Sequence, residues 1–207
     1  MNLLSHTTKM GCPGFNLPAK LFCPALGAAI EHAAETGRQS ICSRCYACSG
    51  RYTLGVVTRA LKGRGIWWTD TPIQERIEEL ADQIRSGGEP RYFRCYDSGD
   101  IDTPEACEFW DRLSRLFPKT LFWLPTKTWV LTDFLPSLQD LNKRPNVLVR
   151  PSALCFDDPP PIVPGLCAGH SSAKLEPSKA DRECAGKCGR CRACWTRPEV
   201  SVNFKDK

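Results

Sequence analysis

The chain has 207 residues, 42% hydrophobic and 25% charged, with 28 Lys and Arg against 23 Asp and Glu for a net charge of +5. That balance fits one globular core with a small appendage and excludes collagenous and low-complexity chains. No apolar run approaches the roughly 18 residues of a membrane span, and the mild positive charge permits a nucleic-acid partner without demanding one.

The start, MNLLSHTTKMGCPG, has no apolar stretch ending in a small-residue cleavage site, so no secretory signal is predicted and the expected location is the cytoplasm. In a reducing compartment, 13 cysteines point to metal ligation rather than to a disulfide framework.

An early strand is predicted through GFNLPA, 14–19. Cys12 and Cys23 lie on either side of it, each followed by a proline in a turn suited to presenting a thiolate. ICSRCYACSGRY comes next, where Cys42 and Cys45 form a C-x2-C ligand pair, Tyr46 follows directly, and Cys48 is near. His6, His32 and His170 show no ligand spacing.

Thr71-Pro72 opens a predicted helix, with Thr71 as N-cap and Gln74 completing a capping box. Its stripe is Ile73, Ile77, Leu80, Ala81 and Ile84, and Gly87 ends it. Thr103-Pro104 opens a second, with Ala106, Phe109, Trp110, Leu113, Leu116 and Phe117 on one face. A third fits Phe134, Leu135, Leu138 and Leu141. Apolar runs at 91–95, 120–124 and 146–150 follow these helices as strands, and Cys95 and Cys107 read as core. Alternating helices and strands with right-handed crossovers predict the α/β class: a partial (β/α) barrel of parallel strands.

From 157 the texture changes, and DDPPPIVPG reads as a stiff connector leading away from the sheet. The expected division is a barrel-like domain with its N-terminal cysteine loop, 1–156, and a proline-rich connector with a cysteine-rich metal-binding tail, 157–207.

Parallel α/β folds place sites at the carboxyl ends of strands. Those ends read YDSGD (96–100), PTKT (125–128) and RPS (150–152). Asp97 and Asp100 suit cationic or hydroxyl groups, Gly99 allows close approach, and Lys127 and Arg150 suit a carboxylate or phosphate. Either aspartate alone reads equally well as a turn cap. Three polar strand ends together predict a shared pocket.

The tail carries ECAGKCGRCRACW, in which Cys184, Cys188, Cys191 and Cys194 are spaced C-x3-C-x2-C-x2-C. Zinc sites usually split their thiolates into two C-x2-C knuckles, whereas bacterial ferredoxins use C-x2-C-x2-C-x3-C for a [4Fe–4S] cube. The spacings here are those of the cube in reverse, so a [4Fe–4S] cluster is favoured, with zinc the alternative. Cys155 or Cys167 can replace a member of the run. Lys187, Arg190 and Arg192 would offset cluster charge, or form a phosphate-binding patch. With few large apolar residues, the tail needs metal to order it.

TTKMGCPGFNLPA, CSRCYACSGRY, YFRCYDSGD, FWLPTKT, VLVRPSALCFDDPPP and CGRCRACW, in this order, resemble the gene-product-88-like family of bacteriophage proteins over roughly 7 to 204. The resemblance implies a phage-encoded intracellular protein and supplies no reaction. By motif it carries over Cys12, Cys42 and Cys45 early, Cys184, Cys188, Cys191 and Cys194 late, and the stretch 97–100. Cys48 departs from the family pattern.

A looser likeness is to radical S-adenosylmethionine enzymes, although their early C-x3-C-x2-C is absent. It implies a catalytic cluster at the early cysteines and an auxiliary one late. S-adenosylmethionine would be held by Tyr46, Asp97, Ser98, Gly99 and Asp100, with Asp97, Asp100, Lys127 and Arg150 as the reactive rim. One expected function is therefore an iron–sulfur enzyme acting on a nucleic acid base or its precursor, served by an electron donor. The other is a non-catalytic Fe–S or zinc scaffold binding nucleic acid or a host protein. Ligand count separates them, because a catalytic centre keeps a metal position open. If Cys12, Cys23, Cys42 and Cys45 all hold one metal, that site is closed.

Overall fold

A computed structural model describes residues 1–7, 9–172, 182–184, 186 and 188–204. Strands β2 (Cys12–Phe15), β3 (Tyr92–Cys95), β4 (Leu121–Thr126) and β5 (Val147–Pro151) lie side by side in chain order and run parallel, while β1 (Leu4–Thr7) pairs antiparallel with β2 at one edge. The α/β class and the mostly parallel sheet follow the one-way winding read from the sequence. The sheet is open, and among the described residues no barrel closes.

Alternation along the strands gives the sheet two different faces. Phe15, Phe93, Cys95, Phe122, Leu124, Val147 and Val149 point to one core, shared with helices α2 (Gly55–Asp70), α3 (Ile73–Ser86), α4 (Pro104–Leu116) and α5 (Leu135–Asn142). Cys12, Tyr92, Leu121 and Trp123 point to the other face. Gly14 sits on that side, where a Cβ would lie 2.6 Å from the Arg94 carbonyl, so the residue at the β2–β3 junction must be without a side chain.

The tail covers this second face. The connector does not lead away: Ala153 N–H donates to His170 O at 2.8 Å, and Ser152 bridges to His170. Strand β6 (His170–Ser172), strand β7 (Arg182–Cys184) and strand β8 (Val202–Phe204) form a small parallel sheet in the order β6-β8-β7, and α6 (Ala193–Thr196) is a single turn. Trp195 is the anchor. Its ring lies 5.0 Å from Trp123 and 5.6 Å from Tyr92, and its indole N–H donates to Phe93 O at 2.9 Å.

Several local expectations are corrected. The early strand is centred before 14–19, at Cys12–Phe15. Two helices have no counterpart in the sequence reading, α1 (Leu26–Thr36) and α2. The first is alanine-rich with a weak stripe, and the second carries Gly63 and Gly65, which lower helix propensity. Because α2 runs to Asp70, Thr71 ends it and cannot cap α3; Pro72 takes the cap position, and Gln74 turns to Glu78 and Arg112. At α4 the reading holds, with Thr103 Oγ1 accepting from Ala106 N–H at 3.2 Å. Leu116 is exposed, and Phe117 fills the core instead. No helix among the described residues is long and apolar enough to cross a membrane.

Candidate functional site

The cysteines form two groups. The first lies at the carboxyl ends of the parallel strands. Cys23 comes from the loop after β2, and Cys42 and Cys45 from the loop after α1. Burial pushes the Cys23 thiol up to about 12, with further upward pressure from Asp100, Cys42 and Cys45. Burial also raises Cys42, which feels Lys127, Cys45 and Asp100. The three thiols thus lie within electrostatic reach of one another and of Asp100, and Cys42 of Lys127. Cys48 is exposed, and its N–H donates to Cys45 O at 2.9 Å.

The Asp-Ser-Gly-Asp turn faces this group but is already occupied. Tyr96 takes a left-handed φ of 61°, which ends β3 and swings the chain into the turn. Asp97 pairs with Arg94 at 2.7 Å, accepts from Tyr52 Oη at 2.5 Å and from Tyr46 Oη at 3.3 Å, and its carbonyl also receives the Tyr46 hydroxyl. Ser98 Oγ donates to Leu17 O at 2.7 Å. Gly99 has φ +81°, and a Cβ there would lie 2.9 Å from Leu17 Cβ. Asp100 accepts from Ile101 N–H and Lys127 N–H, both at 2.8 Å, and burial raises its pKa. The turn therefore ties β3 to β4 and to the loop after β2. Lys127 remains at the rim beside Cys42.

Arg150 departs from its expected place on the rim. It is fully buried under the tail, and its guanidinium donates to the carbonyls of Ala168, Ala193, Cys194, Arg197 and Val200. The signal for a carboxylate or phosphate site was its position after a strand. Its side chain points instead from within β5 into the tail-covered face.

The second group is the late run joined by Cys12. Cys12, Cys188 and Cys194 pack with Met10, Trp123 and Trp195. Burial pushes Cys12 up to about 11 and Cys194 to about 12; Cys188 adds to both, and Cys184 adds to Cys194. Cys188 in turn feels Cys184 and Cys191. Cys12 was expected with the early group because it is near in sequence, but alternation in β2 turns it to the opposite face. Arg94, Arg150 and Arg192 oppose the charge of these thiolates, and Arg192 also lies over the Tyr92 ring at 5.0 Å. Lys187 lies outside the described residues. Cys167 is apart, donating to Asn142 Oδ1 at 3.2 Å.

Among the described residues, neither group places three thiols within 4.8 Å of one another. A single zinc draws four thiolates in at about 2.3 Å each. A cluster with several irons lets its ligands stand wider apart. Buried, protonated thiols fit either ion only if binding drives off their protons.

The family model of gene product 88 matches residues 2–154. The chain belongs to the gene product 88 family. No curated protein and no solved structure matches it. The gene product 88 match is to a phage-type family and includes Cys12, Cys23, Cys42, Cys45 and the Asp-Ser-Gly-Asp turn, but ends before the late run, short of the span expected from the motifs. The likeness to radical S-adenosylmethionine enzymes finds no support in these comparisons.

Within the gene product 88 chain, the residues that sequence reading missed are Arg94 and Tyr52, which clamp Asp97, and His170. An arginine in an apolar strand, RYFRC, was the available signal for the first. His170 is buried against Trp123, its Nε2 has no partner among the described residues, and burial, then Arg150, Arg94 and Lys127, hold its pKa well below the usual range. The folded chain thus resists a proton that the unfolded chain accepts near pH 6.5. Stability is present above that pH and falls as pH drops below it. His170→Gln is expected to flatten the loss of stability between about pH 6.5 and 5, measured by denaturant titration at several pH values. An unchanged slope would show that this imidazole does not titrate with folding.

Proposed function

We propose that the chain is a phage-encoded iron–sulfur protein with two thiolate centres, in which the centre at the strand ends is the working one and the late centre holds the tail. One observation carries this reading: Cys23, Cys42 and Cys45 converge beside Lys127 and Asp100, while Cys12 belongs to the other face. With Cys12 on the other face and Cys48 exposed outside the set, three protein thiolates leave a metal position open at a polar rim. A centre of this kind supplies one-electron chemistry when bound. Lys127 supplies a cation at the rim for an anionic substrate, and a nucleotide-derived molecule is the class we assign. An external electron donor is then required.

S-adenosylmethionine is not carried forward as the ligand. The carboxylates meant to grip its ammonium are filled by Arg94, Tyr46 and Tyr52 at Asp97, and by main-chain N–H groups at Asp100. Releasing either would leave its partners unmatched, at about 1–3 kcal/mol for each group that water cannot reach.

The test is oxygen-free purification with iron and sulfide quantitation. Cys42→Ser is expected to remove the iron of one centre and leave the tail protease-resistant. Zinc with no sulfide in the wild-type protein would replace this reading with the non-catalytic scaffold.

A further inference from the structure

We propose a third metal site, in which His32, Cys155 and Asp158 bind one divalent ion of the zinc class; Cys42 of the strand-end group packs against the same small core as Cys155 and is not one of its ligands. A ligand atom from each lies within 4.8 Å of the others, and among the described residues this is the group of three potential ligands that reaches such closeness. His32 Nε2 is 3.4 Å from Asp158 Oδ2. The residues come from α1 and from the loop after β5, so local sequence spacing gave no hint of them.

The site is held by main chain and not by the ion. Residues 39–41 are zipped to 154–156: Ile41 N–H donates to Leu154 O at 3.0 Å, Phe156 N–H to Gln39 O at 2.9 Å, and Ser40 bridges to Cys155. Cys155 N–H donates to Asp158 Oδ2 at 2.9 Å, and Arg38 pairs with Oδ1. The carboxylate is thereby fixed in rotation, with Oδ2 turned toward His32. Cys155 is fully buried, whereas the His32 side chain is 37% exposed and gives the ion a way in.

One imidazole nitrogen, one thiolate sulfur and one carboxylate oxygen are the donor types zinc takes, and three protein ligands leave a fourth position for water. A hard ion such as magnesium would not select the thiol. Binding requires the Cys155 proton to leave, and the positive ion offsets the burial and the Asp158 charge that favour the thiol. The ion would pin the start of the proline connector to α1.

The experiment uses the full chain, purified without oxygen, with zinc measured by mass spectrometry and Co2+ titrated as a spectroscopic probe. Wild type is expected to take up the added ion with thiolate-to-cobalt charge-transfer absorption. His32→Ala, a change on a half-exposed helix face, is expected to weaken uptake about tenfold or more, with iron and sulfide unchanged. Equal uptake by His32→Ala overturns the site and leaves an ion-pair network of Arg38, His32 and Asp158. Loss of iron in Cys155→Ala also overturns it, because the thiol would then belong with Cys42. The His32→Ala result does not depend on whether the Cys23, Cys42 and Cys45 group holds iron or zinc; if that group holds zinc, the Cys155→Ala readout is loss of its zinc instead of iron.

Discussion

Arg150→Ala is expected to destabilise the chain by about 4 kcal/mol and to release the tail. The guanidinium is fully buried, and its nitrogens reach Cys194 O at 3.1 Å, Ala168 O at 2.8 Å, Val200 O at 2.9 Å and Ala193 O at 3.0 Å, together with Arg197 O. Those carbonyls come from α6, from the segment after it and from the approach to β6, so one side chain gathers segments that share little else. Truncation leaves several buried acceptors without a donor, at about 1–3 kcal/mol for each that water cannot reach. Arg150→Met keeps most of the volume and is expected to lose nearly as much, which separates lost hydrogen bonds from lost packing. Denaturant unfolding and limited proteolysis of the tail read both effects. A change within about 0.5 kcal/mol would mean that the arginine does not hold the tail and would return it to the substrate rim.

Cys188→Ser is expected to strip metal from the late centre and make the tail protease-sensitive, while α3 and α4 keep their helical signal and the strand-end centre keeps its iron. Cys188 has the most thiol neighbours in its group, feeling Cys184 and Cys191 and acting on Cys12 and Cys194. Its N–H also donates to Lys9 O at 3.2 Å, so it joins the tail to the loop before β2. Once the metal is lost and this segment loosens, Trp195 loses its place between Trp123 and Tyr92, and burying a tryptophan of this kind is worth about 3–5 kcal/mol. Cys12→Ser is the companion measurement. If Cys12 is a ligand, late metal falls as in Cys188→Ser; if it is a packed thiol, metal stays and stability drops by only about 1 kcal/mol. A Cys188→Ser protein with full metal and an intact tail would overturn the late centre.

What could be read directly from the residues was periodic or adjacent. The α3 and α4 stripes, the Thr103 cap and the strands expected at 91–95, 120–124 and 146–150, found at 92–95, 121–126 and 147–151, all announce themselves within a few residues, because amphipathic burial and end-capping are local requirements. The polar strand ends and the cysteine clusters were legible for the same reason. The sequence by itself thus determined an α/β chain with a mostly parallel sheet, a polar carboxyl rim and thiols in clusters. Tertiary structure alone decided which thiols meet. Side chains on a strand alternate between faces, so Cys12 turns away from Cys23, Cys42 and Cys45 and joins Cys188 and Cys194. It also decided that Arg150 serves the tail, that Asp97 is clamped by Arg94 and Tyr52, and that His32 meets Cys155 and Asp158. Apart from Arg94 and Asp97, which are three residues apart, each of these pairs residues far apart in the chain, where no spacing rule operates and only the folding of the tail and loops back across the sheet brings the atoms together.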